Sequence, residues 1–600
     1  MLEKKRNFII LLLFLILGFS IYSNSFTVPF HYDDRVLISE NEKLHNLKLF
    51  LEKEFFTSNR PILLLTFALN YSLVGESPFG YHLVNLIFHI LTAFLIYLIL
   101  DEIFLRMHLD NGLFPALSSS LIFLTHPLAT EAVTYISSRS SVMSGFFYLL
   151  SLYFFIKACN KKKNYFIYSA GSLISFLLSV GCKEIGITLP AVFLLFDYYF
   201  ISGEDGERIS ANFKRFHLPL IATGIFIVFL KFKFALSLSS PDMAQRDFLA
   251  HIYSSSFAVI FYLKKFLLPM NLNIDPDFPL IDSILKWRFV ISFLLMLGLL
   301  VISKKIGSKA KLISFSILWF FLTLSPHLFI RLKDVMAERW LYLTLAGFGF
   351  FAAGLLANSR SRVFSAKHEE GIYMPVAVVM VFVILFFSIE TYSRNDIWGS
   401  SISLWSDAAK KSPNKFRPYN NLGEAYAAEG EDDRAIEEYK KAIELNPKAE
   451  RVLYNLGNVY SRKGEVSAAI DAYTRAVEIN PSYAKAYNNL GSLYLNNGDY
   501  EKAKEEFLKA IKIEPRFPQA YNNLGNAYSK SGMPSKAILE YIKAIRIDPK
   551  YATAHYNLAR EFYTIRYYQG ALKELEIAAR LSPKQEYLER LEEVKRKIMQ

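Results

Sequence analysis

The chain has 600 residues, 52% hydrophobic and 16% aromatic, with a mean hydropathy of +0.22, which exceeds ordinary globular usage and is unevenly spread. The formal net charge of +13 lies mostly in short Lys/Arg clusters between apolar runs, a pattern that reads as membrane topology rather than nucleic acid binding. The two cysteines, Cys159 and Cys182, flank one apolar run; if it spans a bilayer they face opposite sides, which excludes a disulfide framework and a cysteine metal site.

Lys4, Lys5 and Arg6 precede an apolar run from Phe8 to about Tyr22, read as an uncleaved first helix with its N-terminus inside. Further spans are expected near 81–100, 112–127, 130–157, 165–181, 185–200, 216–236, 287–303, 311–327, 338–357 and 373–392. Residues 61–75 and 250–268 could cross or lie in the interface. Positive-inside counting places Lys161–Lys163, Lys214-Arg215, the Lys304–Lys311 cluster and Arg360, Arg362 and Lys367 on one side, if 250–268 does not cross. That gives about eleven spans and puts the C-terminal region outside.

The polar residues of residues 1–395 gather on the outer ends of these spans. His31-Tyr32-Asp33-Asp34 lies in the first outer loop, and Arg60 later in it. His82, Asn85 and His89 share one helix face at the start of the second span. His126-Pro127 and Glu131 sit at the next outer turn, with Arg139 about two helical turns deeper. Lys183-Glu184 and Glu338-Arg339 mark two more outer junctions. Ionisable groups at such depth are costly in lipid, so they are expected to line a cavity.

From Asn421 the sequence repeats every 34 residues. Asn-Leu-Gly recurs at 421–423, 455–457, 489–491 and 523–525, with Asn557-Leu558-Ala559 fifth. Proline recurs at 447, 481, 515, 549 and 583; alanine recurs at 435, 469, 503, 537 and 571. These are tetratricopeptide repeats, in which small residues let paired helices approach and proline ends the second helix. Trp405, Ala408 and Pro413 lie one period before Tyr439, Ala442 and Pro447, so 396–415 reads as a partial repeat joining a membrane domain (1–395) to a repeat domain (416–600). The paired asparagines at 420–421, 488–489 and 522–523 could hold a peptide backbone or bond within the solenoid.

No Walker A loop, zinc signature or serine elbow appears. In an extended loop Asp33 and Asp34 point to opposite sides, so one can enter the cavity while the other orients a neighbour. A carboxylate there suits a general base; Arg60, Arg139, Lys183 and Arg339 suit a phosphate whose charge grows as it leaves. Together they fit inverting displacement at a sugar carbon, with a polyprenyl-phosphate donor arriving laterally from the bilayer. His31, His82, His126, Glu131, Glu184 and Glu338 are expected to shape the cavity.

These pieces, with Arg60-Pro61, Tyr81-His82-Leu-Val-Asn85, Thr130-Glu131-Ala132 and Ala337-Glu338-Arg339-Trp340-Leu341-Tyr342, in this order and followed by the repeats, resemble the transmembrane and tetratricopeptide-repeat O-mannosyltransferases, which are GT-C glycosyltransferases. Trp340 is one departure, since tyrosine is more usual there. The resemblance implies an all-α fold: a polytopic GT-C-type transmembrane domain followed by a tetratricopeptide-repeat α-solenoid. It implies transfer of mannose from a polyprenyl-phosphate donor to Ser/Thr of a protein, with Asp33 or Asp34 as the acidic residue, no required metal and no cofactor beyond the lipid-linked sugar. The expected setting is a bacterial inner membrane with the repeats in the periplasm, or the endoplasmic reticulum with the repeats in the lumen. The rival readings are a catalytically inactive membrane-anchored repeat scaffold, a transporter, and transfer to a lipid or polysaccharide.

Overall fold

The computed structural model describes residues 2–109, 112–160, 164–203, 212–213, 217–225, 247–330, 334–363 and 373–599. Among them the regular structure is helical, without strands. They divide into two compact units, Met1–Lys411 and Ser412–Gln600.

The first unit is built on α1 (Leu2–Ile21), α2 (Pro61–Val74), α3 (Pro78–Arg106), α4 (Leu113–Thr125), α5 (Thr130–Thr134), α6 (Arg139–Asn160), α7 (Tyr165–Cys182), α8 (Leu189–Phe196), α9 (Phe248–Leu267), α10 (Trp287–Ile306), α11 (Lys311–Phe329), α12 (Tyr342–Val363), α13 (Tyr373–Ile397) and α14 (Ser401–Lys411). Eight helical stretches among the described residues are long and apolar enough to cross a membrane, and a ninth is formed if the bent pair Leu113–Thr125 and Pro127–Thr134 is one span. The chain is a multi-pass membrane protein. Of the other two expected spans, α1 starts with Glu3, Lys4, Lys5 and Arg6, and 216–236 falls largely outside the described residues, as do Lys161–Lys163, Lys214-Arg215 and Lys367. In α10 and in the crossing part of α13 (Pro375–Ile397) only 11% of the crossing stretch is buried, the apolar exposure that contact with lipid requires.

The stretch expected as one helix over 130–157 is instead broken. His126 precedes proline and is extended, its ring Nδ1 accepting the Leu128 amide at 3.2 Å. After α5, Tyr135 is extended again and a short 3-10 turn, Ile136–Ser138, leads into α6. The break turns Tyr135 and Ser137 toward the loop that carries Asp33 and Asp34.

The second unit is an α-solenoid of five helix pairs, Phe416–Ala428 with Asp432–Leu445, Glu450–Lys463 with Val466–Ile479, Ala484–Asn496 with Tyr500–Ile513, Pro518–Lys530 with Pro534–Ile547, and Ala552–Thr564 with Tyr568–Leu581, followed by Gln585–Met599. In four pairs a glycine lies under an aromatic ring: a Cβ on Gly457 would sit 2.6 Å from the Tyr473 ring. The fifth pair keeps the volume in another form, with Ala559 against Leu575, both buried. The turns use left-handed Gly430, Gly464, Gly498 and Gly532; Arg566 adopts that conformation one period later. The asparagines bond between neighbouring repeats: Asn523 and Asn557 donate to Asn488 and Asn522 at 3.0 and 2.9 Å, so the ladder serves the solenoid itself.

Gly457→Ala is expected to destabilise the repeat unit by about 1–3 kcal/mol through overpacking against Tyr473. Thermal unfolding checks it, and Tyr473→Leu in the same chain should recover part of the loss, as the fifth repeat does naturally.

Candidate active site

A cavity of about 540 Å³ opens at the expected outer junctions, lined by Asp33, Arg60, Tyr135, Ser137, Lys183, Glu184, His327, Asp334, Arg339 and Trp340 among others. It brings together residues from the first loop, the 135–140 turn, the α7–α8 turn, the end of α11 and the start of α12.

The acidic pair divides. Asp33 is exposed to the cavity, and its main-chain amide donates to the Tyr135 hydroxyl at 3.2 Å. Asp34 is buried and faces away. Its Oδ2 accepts the His31 amide at 3.0 Å; its Oδ1 accepts the Ser137 amide at 2.7 Å and also the Ser137 hydroxyl. Burial pushes the Asp34 carboxyl up to about 7; the Ser137 and His31 donors pull the other way, and the neighbouring Asp33 adds a smaller upward push.

His31 is a buried strut. Its Nε2 donates to the Trp398 carbonyl at 2.6 Å, which leaves Nδ1 to accept from Ser401 at 3.1 Å. Burial lowers its pKa to about 4, so the ring is neutral. His82 and His126 likewise donate to the carbonyls of Val28 and Phe266, at 2.9 and 3.1 Å. These three histidines, expected to shape the cavity, lie behind its wall.

The basic residues also divide. Arg339 lines the cavity with its side chain 29% exposed, oriented by Glu131: the guanidinium donates to Oε1 at 2.7 Å and the main-chain amide to Oε2 at 3.0 Å. Lys183 lines it too, 9% exposed, donating to the Ser141 hydroxyl at 2.8 Å. Burial, then Arg60 and Arg339, lower the Lys183 pKa to about 7. Arg60 is on the rim in a two-pronged pair with Glu184, at 3.3 and 3.2 Å.

Arg139 does not belong to the cavity. It is fully buried, donating to Asn85, Thr66, Asn70 and the Tyr81 carbonyl, with its guanidinium 4.5 Å from the Phe67 ring centre. Four of its five N–H donors tie α2 and α3 to α6, and it does not line the cavity, which corrects its assignment to phosphate binding. Glu338 is also internal: it accepts the Asn273 amide at 2.7 Å and Arg394 at 2.8 Å.

Sequence reasoning missed Tyr135, Ser137, Trp340's stacking on His327 (4.6 Å between ring centres) and Arg394. The polar run Ser137-Ser138-Arg139-Ser140-Ser141 within an apolar segment was the available signal for the 135–140 turn.

The fold favours Asp34 protonated. A carboxyl raised above its unfolded value makes a contribution that is complete below about pH 4 and lost as pH rises through about 7. Hydrogen exchange of residues 29–40, taken relative to the intrinsic chemical rate at each pH, should therefore accelerate between about pH 4 and about pH 7, and Asp34→Asn should flatten that dependence.

The TPR repeat family model matches residues 423–464, 457–498 and 491–532, and a tetratricopeptide repeat model matches 518–551. The chain is 28% identical over 472 residues to "Protein O-mannosyl-transferase TMTC3" of Homo sapiens, an alignment covering 70% of this chain and 50% of that protein. It is 26% identical over 529 residues to "Protein O-mannosyl-transferase tmtc2" of Xenopus laevis, covering 71% and 61%. A solved structure described as "Crystal structure of MamA" aligns at 35% identity over 25% of this chain and 88% of that one, with a TM-score of 0.24. The chain spans about half the length of the curated relatives it matches. The resemblance to the transmembrane and tetratricopeptide-repeat protein O-mannosyltransferases thus holds across about 70% of the chain.

Proposed function

We propose that the chain is an inverting GT-C-type glycosyltransferase that moves a sugar, mannose on the evidence of its relatives' names, from a polyprenyl-phosphate donor to Ser/Thr of a protein on the extracytoplasmic face. The observation that supports this most is the single cavity in which Asp33 shares a wall with Arg339, Lys183 and Arg60.

In the reaction, the Asp33 carboxylate takes the proton of the acceptor hydroxyl as that oxygen forms its bond to the anomeric carbon. The bond from that carbon to the phosphate oxygen breaks, and its electron pair leaves with the lipid phosphate. Arg339, held by Glu131, meets the growing charge, with Lys183 beside it. Arg60 is second to these, since Glu184 already holds its guanidinium. The repeat unit binds the acceptor polypeptide, the usual work of such a solenoid.

The scaffold reading differs in one measurable respect. Glycoproteomics of the exported proteome should lose hexose from Ser/Thr peptides on Asp33→Asn, with a fall in transfer of about 100-fold or more, from the lower end of the range for general-base removal upward. An unchanged profile would favour the scaffold. Asp34→Asn should reduce transfer less, through the loop. The alkaline limb of kcat/KM should begin near pH 7 as Lys183 loses its proton, and Lys183→Arg should move that limb up by keeping the charge.

A further inference from the structure

We infer that Trp398, at the C-terminal end of α13, is the positioning residue for Asp33, acting through Tyr135 and His31. The kinetic part of this inference rests on the glycosyl-transfer reading; the structural part does not.

Asp33 touches the protein through its main-chain amide, which donates to the Tyr135 hydroxyl at 3.2 Å. The Tyr135 ring lines the cavity and stacks on Trp398, 5.5 Å between centres and 28° between planes. On the other side of the acidic pair, His31 donates to the Trp398 carbonyl at 2.6 Å, with the rings 6.1 Å apart. Ser401, in the first turn of α14, completes the His31 contacts. The loop is thus held from two directions, by 135–137 and by 398–401, and Trp398 is the residue common to both.

Nearby contacts extend the clamp. Asn24 donates to Asp396 at 2.6 Å and to the Tyr392 carbonyl at 2.9 Å, and Tyr32 meets the Trp405 ring edge-on. Trp398 is itself fully buried, yet its indole N–H has no acceptor among the described residues. A buried donor left unpaired is a cost, so this position gains from the ring's shape and stacking rather than from its polar atom. Burial first, and then Asp34 and Asp33, push the Tyr135 phenol well above the usual range, so the hydroxyl stays neutral while its oxygen accepts the Asp33 amide.

The same segment that ends the last membrane helix therefore sets where the proposed base stands. A rigid aromatic stack suits this, because a catalytic carboxylate misplaced by about 1 Å loses about 100-fold in rate.

The test uses the full chain in lipid nanodiscs. Hydrogen exchange is followed on the peptide covering residues 29–36 in Tyr135→Phe, Trp398→Ala and Trp398→Phe. Tyr135→Phe removes the oxygen that receives the Asp33 amide, and exchange of that peptide should rise about tenfold, with the repeat helices unchanged. Trp398→Ala should do the same, and Trp398→Phe, which keeps a stacking ring, should stay within about twofold of the parent. Unchanged exchange in Tyr135→Phe and Trp398→Ala overturns the inference. Should Trp398→Ala raise exchange throughout residues 1–411, Trp398→Leu, which fills the space without a stacking face, decides: a rise confined to residues 29–36 supports the inference and exchange equal to the parent's overturns it. In sugar transfer, Tyr135→Phe and Trp398→Ala should lower kcat about tenfold or more with KM for donor and acceptor within about twofold, and Trp398→Phe should restore most of it. A parent chain that transfers no sugar counts against the functional reading and leaves the exchange experiment to judge the positioning role. A kcat equal to the parent's in both variants overturns it.

Discussion

An ion pair inside an apolar bundle is the constraint on which this architecture depends. Glu131 is fully buried, and an unpaired carboxylate there would be prohibitively costly. Arg339 supplies both a guanidinium and a main-chain donor from 208 residues away in sequence. The pair joins the broken turn after α4 to the start of α12 and fixes one edge of Arg339 on the cavity. Behind it, Glu338 and Arg394 repeat the arrangement, with Arg394 also reaching Thr130 and the Leu272 carbonyl. Each carboxylate has its partner, so charge concentrates at this end of the membrane unit without being left uncompensated.

The cavity works by separating similar groups. Two adjacent aspartates have opposite surroundings: Asp33 meets open space, whereas Asp34 is enclosed by Ser137 and the His31 amide. Two arginines of the same region differ as much. Arg339 has an exposed edge, whereas Arg139 has four of its five donors bonded to side chains and a carbonyl of α2 and α3. Burial alone does not distinguish a working charge from a structural one; the number of unspent donors facing the cavity does.

The repeat unit follows simpler rules. Its register comes from contact between a glycine and an aromatic ring within each helix pair, and the one pair that changes the glycine also changes the ring. The asparagines that recur on one helix face bond to the next repeat, making the solenoid a hydrogen-bonded array as well as an apolar one.

The sequence by itself determined the repeats, the membrane character of residues 1–395 and the grouping of polar residues at four junctions between apolar runs, because each is written in local periodicity or in the cost of charge in lipid. The divergence of Asp33 and Asp34 is expected of neighbours in an extended loop, but Asp34 is helical (φ −61°, ψ −39°) and leads into the π-helical turn Arg35–Ser39, so the helical rotation of about 100° per residue separates them instead. Only the tertiary structure decided which of them faces the cavity, that Arg139 and three histidines lie behind its wall, and that Trp398 stands against Tyr135 and His31. Those outcomes depend on hydrogen bonds and ring contacts between segments from 54 to 367 residues apart, for which no short-range pattern in the chain provides a signal.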